Sequence, residues 1–254
     1  MIIRKSQAEI ETMARAGRVV ADTLALLSEQ IQPGITTAEL DEIAEEFIVS
    51  NGGVPTFKGY RGYPASTCLS PNGMVVHGIP GRTKLRDGDI LSADVGVTLD
   101  GFVADSAWTY AVGSIDAEAQ RLLDVCRAAL EAGIEQAQVG NAIGDISAAV
   151  QSVTEAAGFG VIRSLVGHGV GRSMHEDPQV PNFVSSHRGP ELKEGMTIAI
   201  EPMITAGSPD VFIHDDEWSI STVDGSLAAH FEHTVAVTAD GPRVLTRRSG
   251  VLVP

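Results

Sequence analysis

Asp94 and Asp105 sit in one short ribbon, DILSADVGVTLDGFVADSAWTY (89–110), in which apolar residues alternate on either side of Asp100-Gly101. An Asp-Gly pair between two such runs is a strong hairpin signal. A two-residue turn there sets Asp105 opposite Gly96, with Asp94 as its diagonal neighbour on the same face. The glycine leaves room beside Asp105, as at strand positions that a ligand approaches closely. Two carboxylates in an apolar ribbon repel each other and lose hydration, so a divalent cation between them is the economical solution. Taken alone, the pair fits the wet face of an antiparallel hairpin more readily.

Three residues further along change that balance. His168 stands in Gly167-His168-Gly169-Val170-Gly171, Glu201 in the apolar run TIAIEPM, and Glu232 in HFEHTVAV. Buried acids are rarely left unpaired. Four carboxylates with one imidazole and no thiolate suit Mn²⁺, Fe²⁺ or Co²⁺, and Zn²⁺ less distinctively. Four negative charges exceed what one dication neutralises, so two ions roughly 3.5–4 Å apart fit the donor set. Without metal, some of these acids should hold protons at neutral pH.

The chain that must position them has 254 residues, 43% hydrophobic and 20% charged, with a net charge of −15. That is an ordinary globular composition, and the negative balance argues against nonspecific binding to DNA or an anionic membrane. Arg82, Lys84 and Arg86 form a small basic cluster that reads as a solvated loop. Two cysteines make no disulfide framework, and no apolar run approaches membrane-spanning length, so a reduced, cytoplasmic setting is expected.

Ser6-Gln-Ala-Glu9 and Thr36-Thr-Ala-Glu39 are capping boxes that open two helices, the first through about Leu27 and the second ending near Asn51-Gly52-Gly53. Phe57–Pro64 reads as an aromatic, glycine-rich loop, and a short strand carrying His77 follows Cys68. Further helices are expected over about 116–138 and 145–157. Strands are expected over 161–166, 197–204, 219–223, 231–237 and 244–252. The order of two helices then a sheet segment occurs twice. Leu85-Arg-Asp-Gly88 precedes Asp94 as Leu192-Lys-Glu-Gly195 precedes Glu201, 107 positions later, and Gln32-Pro33-Gly34 finds its counterpart at Gln138-Val139-Gly140. One domain is expected, residues 1–254, duplicated internally over about 1–110 and 111–254. A pseudo-two-fold axis through one continuous sheet would bring Asp94 and Glu201 to its centre.

DGDILSADVGVTLDGFVADSAWTYAVG, GHGVGRSMHEDPQVPNF, EGMTIAIEPM and FEHTVAVT together resemble the type I methionine aminopeptidases, over essentially the whole chain. The resemblance implies the α/β (α+β) pita-bread fold, pseudo-symmetric half-domains around a central antiparallel sheet flanked by helices. It places Asp94, Asp105, His168, Glu201 and Glu232 at the ligand positions of two divalent ions (Co, Mn, Fe or Zn). Asp105 and Glu232 would bridge the pair, with Asp94 on one ion and His168 and Glu201 on the other. Glu201 is implied as the proton shuttle. His77 is implied near the amide nitrogen of the second residue, and His175 at the carbonyl oxygen that gains negative charge.

By the same resemblance Tyr60, Tyr63, Cys68 and Trp218 line the methionine pocket. Phe57 and Met174 stand there where a small residue and a phenylalanine are expected. Read without the family, His77 and His175 fit satisfied loop histidines. His187, His214, His230 and His233 carry no chemical signal, except that His233 adjoins Glu232 and is a candidate to hold it from outside. Glu201 and Glu232 lie 31 residues apart, too close for the helical insertion of the type II form. The function implied is hydrolytic removal of the initiator methionine from nascent proteins whose second residue is small. Nascent polypeptide N-termini are then the partners, with ribosome contact a further option, no DNA, no membrane, and the enzyme a cytoplasmic monomer. A proline-directed exopeptidase of the same fold and a non-catalytic binding relative are the alternatives; all five ligand-type residues stand, which disfavours the second.

Overall fold

The structure is a computed structural model, and it describes residues 1–247. Helix α1 spans Gln7–Gln30 and α2 spans Thr37–Ser50, each opened by the expected capping box. Glu9 accepts from the Ser6 amide at 2.9 Å and Glu39 from the Thr36 amide at 2.8 Å, satisfying donors that a helix start leaves orphaned. Ile10, Met13, Ala16, Val20, Leu24 and Leu27 form one buried stripe of α1, laid across the central hairpin. Helices α3 (Ala117–Glu135) and α4 (Ile143–Ala156) pair in the same way over a second core. Among the described residues, no helix is long and apolar enough to cross a membrane.

The hairpin pairs Ile90–Leu99 with Phe102–Ala111 in the expected register, Gly96 opposite Asp105 and Asp94 opposite Ala107. Asp100 and Gly101 both take positive φ, 50° and 76°, which is what a type I′ turn demands and what Asp-Gly supplies. The space over Gly96 is not open, however. A methyl group there would lie 2.7 Å from Cε1 of Phe57, so the glycine accommodates an aromatic ring from an earlier loop rather than a ligand.

The two halves repeat the same contacts 106 or 107 positions apart. Gly34 donates to the Leu85 carbonyl and Gly140 to that of Leu192; isolated bridges join Thr36 to Lys84 and Ala142 to Glu191. The expected continuous sheet is divided into four ladders. At the centre the halves meet through side-chain hydroxyls as well as backbone. Thr234 Oγ1 accepts from the Asp105 amide at 2.9 Å and donates to its carbonyl at 2.8 Å, while Thr109 Oγ1 donates to the His230 carbonyl. The Glu232 amide donates to the Ala107 carbonyl at 2.9 Å. Interposed hydroxyls stop the ladder and set Asp105 beside Glu232.

The expected strand over 197–204 breaks into Thr197–Ile200 and Met203–Thr205, because Pro202 has no amide to give a ladder. The expected strand over 231–237 likewise starts at His233, after a separate Ala228–His230. Both glutamates therefore lie where the chain steps from one ladder to another. Over 161–166 only Gly160–Val161 is strand, and the rest runs irregularly past a cavity. Among the described residues the last strand is Gly241–Val244; of the one expected over 244–252, residues 245–247 are not strand and 248–252 lie outside the described residues.

Candidate metal centre and substrate cavity

Asp94, Asp105, His168, Glu201 and Glu232 converge at one end of a cavity of roughly 300 Å³. Asp105, His168 and Glu232 each offer a ligand atom within 4.8 Å of the others. His168 Nε2 stands 3.5 Å from Glu201 Oε1 and 4.0 Å from Asp105 Oδ2. Its Nδ1 donates to the Gly169 carbonyl at 2.9 Å, which fixes the tautomer and leaves the Nε2 lone pair facing the carboxylates.

Electrostatics make the cluster incomplete on its own. Burial pushes the Asp94 carboxyl up to about 7. Burial, then the charges of Glu232 and Asp94, hold Asp105 far above the usual carboxylate range. Burial and neighbouring acids do the same to Glu201 and Glu232. Burial, then repulsion from His175, lowers His168 to about 4, so its imidazole is neutral. Asp94 Oδ1, Asp105 Oδ1 and Glu232 Oε1 are buried without a hydrogen-bond partner. Orphaned carboxylate oxygens around a free imidazole lone pair are the donor set of a divalent cation, so the residues present fit one.

The remaining candidates line the same cavity: Phe57, Tyr60, Tyr63, Cys68, His77, Met174, His175 and Trp218. Tyr63 gives only its ring, since its hydroxyl donates to the carbonyls of Thr67 and Gly78. The ring stands edge-on to Trp218, centroids 5.1 Å apart. Cys68 lies opposite Asp94 in the ladder, and burial keeps its thiol protonated. His77 takes a positive φ of 58°, and burial, with His175 next, lowers it to about 4. His175 is at the mouth, where Tyr60 Oη lies 2.9 Å from its Nδ1 and its ring packs 4.2 Å from that of His168. Desolvation, then the Arg61 guanidinium, hold it below its ordinary value.

Sequence reasoning missed His230. It is 2% exposed, neither ring nitrogen has a partner, and Nε2 stands 3.8 Å from both Glu201 Oε2 and Glu232 Oε2. Its signal was the spacing, two positions before Glu232 and so on the same side of an extended chain. Ser164, Leu165 and Met203 also line the cavity and carried no signal of their own. His233 does not support the Glu232 carboxylate. It points to the other side, with Nδ1 2.8 Å from Thr246 Oγ1 and 3.3 Å from Ser106 Oγ.

The pattern of metallopeptidase family M24 matches residues 11–239. The chain is 52% identical over 246 residues to the methionine aminopeptidase of Clostridium perfringens, covering 97% of this chain and 99% of that one. It is 49% identical over 247 residues to methionine aminopeptidase 1 of Bacillus subtilis, covering 97% and 100%. Its structure is similar to the crystal structure of methionine aminopeptidase from Thermotoga maritima, with a TM-score of 0.95 at 44% identity over 98% of this chain and 100% of that one.

Proposed function

Because the chain belongs to metallopeptidase family M24, we propose that it is a metal-dependent aminopeptidase that hydrolyses the initiator methionine from new polypeptides with a small second residue. The observation that carries this reading is the set of orphaned carboxylate oxygens at one end of an apolar cavity. One catalytic domain, repeated internally, holds the site. Its substrates are nascent N-termini, met in the cytoplasm by a monomer, with the ribosome as the place of encounter.

Asp94, Asp105, His168, Glu201 and Glu232 would hold two divalent ions drawn from Mn, Fe, Co and Zn. Bound there, the ions supply an activated water at neutral pH and an acidic centre for the scissile carbonyl. Glu201 takes a proton from the attacking water and passes it to the leaving amine. His175 donates from Nε2 to the carbonyl oxygen as negative charge develops, its Nδ1 being occupied by Tyr60. His77 faces the amide nitrogen of the second residue. Phe57, Tyr63, Cys68, Met174 and Trp218 exclude water and take the thioether side chain. The reading is tested by free methionine released from Met-Ala-Ser: metal-stripped protein should be inactive and Mn²⁺ or Co²⁺ should restore it. Undiminished release after complete stripping would contradict it.

A further inference from the structure

The strand Val211–Ile213 is a sheet edge that no element of the described chain covers. Its ladder contains, in order, Val211–Ile213, Ile220–Thr222 and Met74–Val76, so one side of it is unpaired. The His214 amide donates to the Ser219 carbonyl, and the Val223 amide to that of Asp210. Positions 210, 212 and 214 thus turn their peptide groups to the neighbouring strand, and the amides and carbonyls of Val211 and Ile213 point outward. Natural edges of this kind are blunted with charge or proline. This one is flanked by Pro209-Asp210 and Asp215-Asp216, and between them it presents Phe212 at 44% exposure and Ile213 at 64%.

A groove of roughly 410 Å³ runs along that edge, next to the substrate cavity. Ser164 and Leu165 line both. At the near end Ile213 pairs with Ile220, two positions after Trp218 of the cavity wall; Val211 lies at the far end, opposite Thr222. A chain held by its first residue at the metal end and leaving past Leu165 meets Ile213 first.

We infer that the strand Val211–Ile213 binds the substrate's own chain beyond its second residue, as an added antiparallel β-strand, with preference for extended, apolar downstream segments. The inference rests on the aminopeptidase reading, because it takes the polypeptide leaving that site as the occupant. Strand addition recognises backbone first and side chains at alternate positions second, which suits an enzyme that meets many N-terminal sequences.

The test compares Met-Ala-Ser with Met-Ala-Ser-Val-Thr-Val on the metal-loaded enzyme. The hexapeptide should show kcat/KM about tenfold higher, the increment that two net backbone hydrogen bonds supply. N-methylation at one of residues four and five should abolish the gain and at the other should not, the alternation of a β-ladder. Ile213→Pro removes an outward amide and the isoleucine side chain, at an edge position that tolerates proline. It should cut the gain to about threefold or less and leave the tripeptide rate unchanged. A tripeptide cleaved with no length gain, or a gain that survives both Ile213→Pro and N-methylation, overturns the inference and leaves the aminopeptidase reading standing. An uncleaved tripeptide removes both. Concentration-dependent dimerisation lost in Ile213→Pro, with rates indifferent to peptide length, would give the edge to a second copy of the chain and also overturn it.

Discussion

Tyr60 Oη lies 2.9 Å from His175 Nδ1, and the two rings stack with centroids 5.5 Å apart. A neutral imidazole carries one proton, and the partner of one nitrogen decides which nitrogen has it. With the phenol donating to Nδ1, the proton sits on Nε2, where it can meet a carbonyl oxygen. Tyr60→Phe should therefore lower kcat about tenfold with little change in KM, because the stabilised charge develops only in the transition state. Steady-state kinetics on Met-Ala-Ser, with ¹⁵N shifts of the His175 ring, would check it. A change confined to KM would make Tyr60 a wall of the pocket and no more.

Lys5 and Glu176 form an ion pair at 2.6 Å with side chains only 3% and 7% exposed. Glu176 Oε1 also accepts from the amides of Arg172 and Ser173, so the pair pins the loop that carries Met174 and His175. Removing one partner of such a pair strands a buried charge, and Lys5→Met should cost about 3–5 kcal/mol in urea unfolding. The double variant Lys5→Met with Glu176→Gln should recover part of that loss. Equal loss in both would mean that the charge is not what holds the loop.

Much of this arrangement was legible in the sequence, and what was not shares one physical cause. The hairpin follows from period-two alternation around Asp100-Gly101, both local signals, and its register held. The capping boxes at Ser6 and Thr36 are equally local. The ring over Gly96 comes from Phe57, 39 positions earlier, and nothing near Gly96 announces it. His230 becomes a site residue because it pairs with Met203, two positions after Glu201, a partner 27 positions away in sequence. The break at Glu201-Pro202 was readable from the proline, yet the apolar run on both sides masked it.

Metal and protons should compete for the centre. Asp94 is raised to about 7, and burial raises Asp105, Glu201 and Glu232 as well. Groups with raised folded-state values stabilise the metal-free protein fully below the unfolded carboxylate range and lose that contribution as pH rises through the folded values. The four acids therefore favour the metal-free fold near pH 5 over pH 8, while His77 and His168, held to about 4, oppose them as pH falls through the ordinary histidine range. Metal binding needs the deprotonated forms, so affinity should rise with pH and protons should be released. Calorimetric titration in two buffers of different ionisation enthalpy measures the release. No release at pH 6.5 would contradict the buried, protonated cluster.

If the apolar cavity takes the methionine side chain, its rim limits the residue that follows. The most direct measurement is the rate of methionine release from Met-Xaa-Ser peptides on the Mn²⁺- or Co²⁺-loaded enzyme, with Xaa from Gly, Ala, Ser and Thr to Leu and Phe. Steric exclusion at the rim should separate Ala from Leu by more than the factor of about 10–200 that one methylene yields in an apolar pocket. Comparable release from Met-Ala-Ser and Met-Leu-Ser would contradict the account, and the chain would then be a broad aminopeptidase.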